Sequence, residues 1–333
     1  MTKGKTPQHP RDGAGSGRIE NPADGTAIRT MLSLGEHLLV VTDRCTYRMQ
    51  MADQIDPERK NPNLPFTTQQ KLFDRGFGSE TLARTLLQGE KFFKPGFLEI
   101  DHSTALKLTL EAAQEIIAME DMAGAFRDRE RRAMDALKAK PQNKSSFVLP
   151  TLGDVRGDCR AFIQKADHFS AGLLSIVRLY LPEMKSEGWS HLLEVARKRY
   201  AAEPGAAEYV ESILPTFQLM RSARDCLDHR LNGVTTRDFS ATADGEIARP
   251  DIEINFRKSK FPQTPVSEFM EAVSASFLHA FEQMLVMLSG LEVKPFAGMP
   301  IVVDRVPDNY RQNWGCRYSY GMIYADGSFV PMS

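Results

Sequence analysis

The sequence has no excess of charge of either sign. Its 333 residues contain 42 Lys and Arg against 43 Asp and Glu, so the formal net charge is −1. Proteins that bind nucleic acid through much of their surface are usually strongly basic. Any surface that binds RNA or DNA in this protein therefore has to be local, and the balance of charge also excludes a long acidic tail.

Cysteine is scarce and widely spaced. The four cysteines form no CxxC pair or other metal-ligand spacing; they are Cys45, Cys159, Cys226 and Cys316. The N-terminus has no apolar run of the kind found in secretory signal peptides. We therefore expect reduced thiols and a cytoplasmic protein, with no structural metal and no cofactor.

Long hydrophobic runs are also missing. The most apolar helical stretch, residues 277–288, is interrupted by His279, Glu282 and Gln283. It is also shorter than the roughly 20 residues that span a bilayer, so we expect no membrane role. A Walker loop, a Rossmann glycine pattern, HExxH and GxSxG are all absent, so the common enzyme classes that they mark have no support here.

Most of the chain shows helical periodicity instead, within a composition that is 42% hydrophobic. Apolar residues recur at helical intervals in seven segments. These are 27–54, 79–93, about 101–139, 152–181, 190–201, 206–231 and 266–288. Pro215 lies inside the sixth segment and should either kink or split that helix. The first 26 residues are rich in Gly, Pro and charge and are predicted to be a flexible tail.

Two regions have the period of β-strands. An Ala-Asp-Gly turn at 243–245 separates residues 237–242 from 252–256 and predicts a β-hairpin. Short apolar clusters at 301–303, 317–324 and 328–330 predict a β-rich C-terminus. The expected fold is mainly α, a helical bundle with a small hairpin insertion. The expected divisions are a tail at 1–26, an N-terminal helical region at 27–150, a bundle at 151–292 containing the hairpin at about 236–256, and a β-rich extension at 293–333.

One helical segment, residues 217–233, carries an unusual density of ionisable groups: Arg221, Arg224, Asp225, Asp228, His229 and Arg230. Residues four apart share a side of a helix, so Asp225 lies near His229 and Arg224 lies near Asp228. A carboxylate in that position can hold an imidazole nitrogen and favour its charged form, as in many acid–base sites.

The run from Arg224 to His229 resembles the active-site motif of the HEPN (higher eukaryotes and prokaryotes nucleotide-binding) ribonucleases. That motif is an Arg, then a polar residue that is usually Asn, Asp or His, then three or more further residues, and then a His. The resemblance covers roughly residues 150–290 and implies a HEPN-like helical bundle into which the hairpin is inserted. The N-terminal helices lie outside it.

The resemblance also implies a function, namely metal-independent cleavage of RNA at a homodimer interface. His229 would transfer protons, Arg224 would hold the phosphate and Asp225 would orient the histidine. Arg224 and His229 are about 140° apart around one helix, so a two-fold partner is needed to bring both to one phosphate. Free-standing bacterial members often act in defence or toxin systems, which implies an antitoxin or an activating partner.

A non-catalytic interpretation stays open. Arg221 with Asp225, and Arg224 with Asp228, would be ordinary ion pairs on a solvated face of a helical module that binds protein or RNA. A metal-dependent nuclease is less favoured, because no carboxylate cluster has suitable spacing.

Four arginines are weaker candidates for contact with RNA: Arg221, Arg230, Arg127 and Arg131. The last two belong to a basic run, with Arg129 and Arg132, at the end of the long helix near residue 139. Such a run can follow a nucleic-acid backbone, but it alternates here with acidic residues and fits a solvated face equally well.

Overall fold

The computed structural model describes residues 25–35, 37–138, 148–184, 188–229 and 231–332. Of these residues 52% lie in helices and 22% in strands, and the strands form four small separate sheets. The protein is therefore mixed α and β, and the prediction of a mainly α, HEPN-like helical bundle is wrong. The flexible tail predicted for residues 1–26 lies almost entirely outside the described residues.

The main error concerns the N-terminal region, which was predicted to be helical. Most of the described residues of the segment predicted as the first helix, 27–54, form strands instead. The strands are β1 (Ile28–Leu34), β2 (His37–Thr42), β3 (Thr46–Met51) and, after the single-turn helix α1 (Ala52–Ile55), β4 (Thr67–Phe73). They pair in sequence order as an antiparallel meander.

Burial on both faces of this sheet explains why its apolar residues suggested a helix. Leu39 and Val41 pack towards the helices, whereas Val40 and Tyr47 pack together on the opposite face. A strand that is buried on both sides has no alternation of polar and apolar residues. Gly35, with a φ of 59°, lies in the tight turn that pairs Leu34 with the start of β2.

Five of the six helices predicted beyond residue 79 are confirmed, with small differences at their ends, whereas the one predicted over 79–93 is two short helices that meet at Thr85. The helices are α2 (Glu80–Arg84), α3 (Leu86–Phe92), α4 (His102–Lys138), α5 (Val155–Tyr180), α6 (Trp189–Arg199), α7 (Pro204–Asp228) and α8 (Val266–Glu292). The hydroxyl of Ser79 caps α2 by accepting a hydrogen bond from the backbone N–H of Leu82. Pro215 lies inside α7 and does not split it.

The helices pack around one large aromatic core. Phe217 of α7 stacks on Trp189, with ring centroids 4.1 Å apart, and also contacts Phe277 of α8. The ring centroid of Phe169 of α5 lies 5.4 Å from that of Phe277, so four helices, α5 to α8, meet at one group of rings. Rings that are buried in this way supply much of the apolar area that stabilises a core. This packing holds α7 firmly beside α5.

Among the helices of the described residues, only α8 is long and apolar enough to span a membrane. However, 61% of its most apolar 18-residue window is buried inside the protein. That degree of burial is typical of the core helix of a folded domain.

The predicted hairpin is part of a larger β region. Its strands are β5 (Val234–Arg237), β6 (Ser240–Ala241), β7 (Ile247–Ala248), β8 (Asp251–Phe256) and β9 (Ser259–Pro265). The antiparallel pairing of β5 with β8 confirms that a hairpin forms here, but its first strand is 234–237 rather than 237–242, and the predicted turn at 243–245 joins β6 to β7. Strand β9 was not predicted; it pairs with β8 and leads directly into α8.

The C-terminal segment is β-rich, as the sequence predicted. Strands β10 (Val302–Arg305), β11 (Tyr318–Ile323) and β12 (Phe329–Pro331) form a three-stranded antiparallel sheet. The short helix α9 (Asp308–Trp314) between β10 and β11 was not predicted.

All four cysteines are buried and present as free thiols, as the sequence predicted. Burial raises the pKa of Cys159 to about 12 and that of Cys316 to about 11. These two thiols are therefore protonated near neutral pH, and they are poor nucleophiles.

Candidate functional site

The motif residues lie at the C-terminal end of α7, where one side of the helix is buried in the core and the other faces solvent. Cys226 and Leu227 are buried and hold this end of the helix against the core. Arg224 and Asp228 are half-buried at its surface. His229 caps the helix, and its backbone N–H donates a hydrogen bond of 3.1 Å to the carbonyl of Asp225.

Arg224 lies among three carboxylates. Its Nε atom is 3.0 Å from Oδ2 of Asp228, and its Nη1 atom is 3.7 Å from Oδ2 of Asp167 and 3.9 Å from Oδ1 of Asp225. The Nε atom is buried but makes no hydrogen bond of acceptable geometry within the described chain. The guanidinium is therefore held by charge. Its Nε is out of reach of solvent, and a further acceptor could approach only the exposed part of the side chain, which is 41% exposed overall.

Two further arginines complete this group. Arg160 of α5 donates two hydrogen bonds to Oδ1 of Asp228, of 3.2 Å from Nε and 3.1 Å from Nη2. Arg257, in the turn between β8 and β9, places Nη1 3.6 Å from Oδ2 of Asp225. We call the six residues the charge cluster: Arg160, Asp167, Arg224, Asp225, Asp228 and Arg257. Three cations and three carboxylates make the cluster formally neutral.

His229 is exposed, and no described residue makes a hydrogen bond with its imidazole. Asp225, which was predicted to orient this histidine, lies closest to Arg224 and Arg257 instead. The predicted contact between Asp225 and His229 therefore does not form in the single chain. The physical reason is that two guanidinium groups next to Asp225 compete for its carboxylate.

The structure does not bring the weaker candidates into the charge cluster. Arg221 is exposed on α7 and forms no ion pair with any residue that the structure describes. Of the two ion pairs in the non-catalytic interpretation, Arg224 with Asp228 forms and Arg221 with Asp225 does not. Arg127 pairs with Glu271 of α8, and Arg131 pairs with Asp128 on its own helix. Arg230 lies outside the described residues.

Sequence reasoning did not select Arg160, Asp167 and Arg257 as parts of this site. Arg160 and Asp167 are seven residues apart on α5, so they share a face of that helix, and this spacing is a signal that could have linked them. Arg257 has a φ of 57°, which is uncommon for a residue other than glycine. Its approach to α7 depends on strand β9, which the sequence pattern did not show.

Within the residues that the structure describes, no group of three or more His, Cys, Asp or Glu side chains is arranged to hold a metal ion. Comparison of the chain with protein-family models, with curated proteins and with solved structures finds no match, so the site is interpreted from its own residues.

Proposed function

We propose that this protein is a metal-independent endoribonuclease whose active site is completed by a second copy of the chain. The observation that carries the proposal is the state of the two motif side chains at the end of α7. Arg224 is 41% exposed and has N–H donors without hydrogen bonds, and His229 is exposed with no hydrogen bond from its imidazole to a described residue. Neither side chain is used to hold the core together.

These two groups suit RNA cleavage by the RNA's own 2′-hydroxyl. The attacking hydroxyl has to lose a proton and the departing 5′-oxygen has to gain one, which His229 can do. The pentavalent phosphate gathers negative charge, and the guanidinium of Arg224 can stabilise it with two parallel hydrogen bonds. Asp167 and Asp228 would position Arg224 for that contact.

A second copy is required by the geometry of α7. Arg224 and His229 are five positions apart, so their directions differ by about 140° around the helix. The apolar side of α7 is already buried in the core, including Phe217 and Met220. The side left for a partner is polar. This side carries cations and carboxylates next to one another. A two-fold axis places the surface against its own copy, so the cations of one chain can face the carboxylates of the other.

We therefore expect a dimer that is held largely by charge. Light scattering should show a dimer at tens of micromolar protein in low salt, and the monomer fraction should rise as sodium chloride increases from roughly 50 to 500 mM, because salt screens exposed ion pairs. Arg197→Gln, an exposed change on α6, serves as a control that should leave the dimer intact. A protein that stays monomeric at this concentration, with or without RNA, would contradict the proposal.

The reaction itself is tested by incubating the purified protein with total RNA in EDTA. We expect cleavage that is unaffected by the chelator, because no metal-bound water takes part in the proposed mechanism. The products should carry 2′,3′-cyclic phosphate ends, since the nucleophile is the adjacent hydroxyl of the substrate. A strict requirement for added Mg²⁺ or Mn²⁺ would rule the mechanism out.

One observation favours a different function, that of a non-catalytic module that binds RNA or protein. Arg224 is paired with Asp228 within its own helix, and the charge cluster as a whole is neutral, so it offers a phosphate no net attraction. In that case Arg224 and Asp228 only stabilise a solvated helix end. The protein would then leave RNA intact in EDTA, and it could still retain RNA in a filter-binding assay.

A further inference from the structure

A second group of arginines lies far from α7 in the sequence, around a cavity of about 740 Å³. The cavity is formed where β1, the start of α2, α9 and the segment before β11 meet. Three arginines and one carboxylate supply its charged lining: Arg29, Arg311, Arg317 and Glu80. None of them belongs to the charge cluster, so this site is independent of the proposed ribonuclease activity.

Arg317 lines the cavity and also belongs to a buried ion triad, whose other members, Arg84 and Glu282, do not line it. Glu282 of α8 is fully buried, and its Oε2 atom accepts a hydrogen bond of 3.0 Å from Nε of Arg84. Its Oε1 atom lies 3.3 Å from Nε of Arg317, but this contact has no hydrogen-bond geometry. Two guanidinium groups therefore share one buried carboxylate, which leaves one positive charge in excess.

Glu80 offsets this excess only in part. Its Oε1 atom is 3.0 Å from Nη1 of Arg84 and 3.8 Å from Nη1 of Arg317. The Glu80 side chain is 71% exposed, so water and salt weaken both interactions. Arg317 itself is only 19% exposed, and a guanidinium with little water around it gains more from a further anion.

The other two arginines are also weakly compensated. Arg311 is exposed on α9 and makes no ion pair with any residue in the described ranges. Nε of Arg29 is 3.7 Å from Oδ1 of Asp43, and its guanidinium lies over the ring of Phe77, 5.1 Å from the centroid. The cavity therefore collects three guanidinium groups with too few carboxylates around them.

We propose that this cavity binds a small molecule that carries phosphate with at least two negative charges, such as a nucleoside diphosphate. Planar guanidinium groups bind phosphate oxygens through paired hydrogen bonds, and three of them from separate elements can surround a diphosphate. The volume falls within the range of about 300–1,000 Å³ that is usual for small-molecule sites.

Calorimetric titration of the full chain tests this proposal with four probes: inorganic pyrophosphate, ADP, adenosine and a 12-nucleotide RNA. Pyrophosphate and ADP should bind, and adenosine should not, because phosphate supplies the attraction. Arg29→Gln and Arg311→Gln should each weaken pyrophosphate binding about tenfold or more, as expected for the loss of one charge-assisted pair. Arg197→Gln removes an equal charge on α6 and should change nothing.

Three outcomes would overturn the proposal. The first is that pyrophosphate and ADP produce no heat of binding, and the second is that both arginine variants bind them as tightly as the wild type does. RNA binding that both arginine variants abolish, with no binding of pyrophosphate or ADP, would instead identify this surface as a nucleic-acid contact. Both substituted arginines are partly exposed, and a thermal melt of each variant checks that it is folded. RNA cleavage in the wild type is scored separately, so failure of one proposal leaves the other intact.

Discussion

Replacing His229 with alanine should lower the rate of RNA cleavage by about a hundredfold or more, since proton transfer by a positioned side chain is typically of that order. Arg224→Ala should lower the rate of cleavage by a similar factor, because it removes the group that stabilises charge on the phosphate. His229 is exposed and forms no hydrogen bond with a described residue through its imidazole, so the fold should be unchanged. Cleavage is measured in EDTA with a labelled RNA.

Two further variants show which contacts matter. Asp225→Ala should retain part of the activity, because Asp225 contacts Arg224 and Arg257 and does not hold the histidine. Glu208→Ala is the control. Glu208 is exposed near the start of α7, far from the motif on the same helix, and this variant should cleave RNA nearly as fast as the wild type. If His229→Ala cleaved as fast as this control, the proposed mechanism would be refuted.

Mixing the two inactive variants tests whether the site is shared between chains. In a dimer of one His229→Ala chain and one Arg224→Ala chain, one of the two sites has an intact arginine and an intact histidine. Since half of the dimers in an equal mixture are of this kind, activity should recover to about a quarter of the wild-type value. A site within one chain would show no recovery. Each variant alone, at the same total concentration, is the control.

The largest expected effect on stability comes from Glu282. Glu282→Ala should lower the free energy of unfolding by about 3–5 kcal/mol, since removing the buried carboxylate leaves Arg84 and Arg317 with only the exposed Glu80 as a partner. Arg84 and Arg317 are only 11% and 19% exposed, so water can compensate them only in part. The change is measured by urea denaturation with a check that the transition remains two-state.

Glu80→Ala provides the comparison, because it removes a carboxylate from the same two arginines at the surface. Its side chain is 71% exposed, and exposed ion pairs contribute about 0–1 kcal/mol. Glu282→Gln keeps the shape of the side chain, so its free energy of unfolding should lie between those of the two alanine variants. Equal destabilisation by Glu282→Ala and Glu80→Ala would mean that burial of the triad is unimportant.

Much of the helical architecture could be predicted because its signals are local. Ser79 caps α2, and Pro182 comes directly after Leu181, the C-cap of α5. The N-terminal sheet could not be predicted in this way. Val40 and Val41 are both buried, so residues of opposite faces are apolar and the period of two is lost. Strand pairing is also non-local, since β3 and β4 are joined through a loop of more than a dozen residues.

The sequence by itself determined that Arg224, Asp225 and His229 lie together at the end of a helix, because spacing along one helix depends only on its geometry. Only the tertiary structure decided which partners these side chains meet. Arg160 and Asp167 come from α5 and Arg257 from a turn beside an unpredicted strand. Those contacts depend on how the aromatic core packs α5 against α7, and no local pattern encodes that packing.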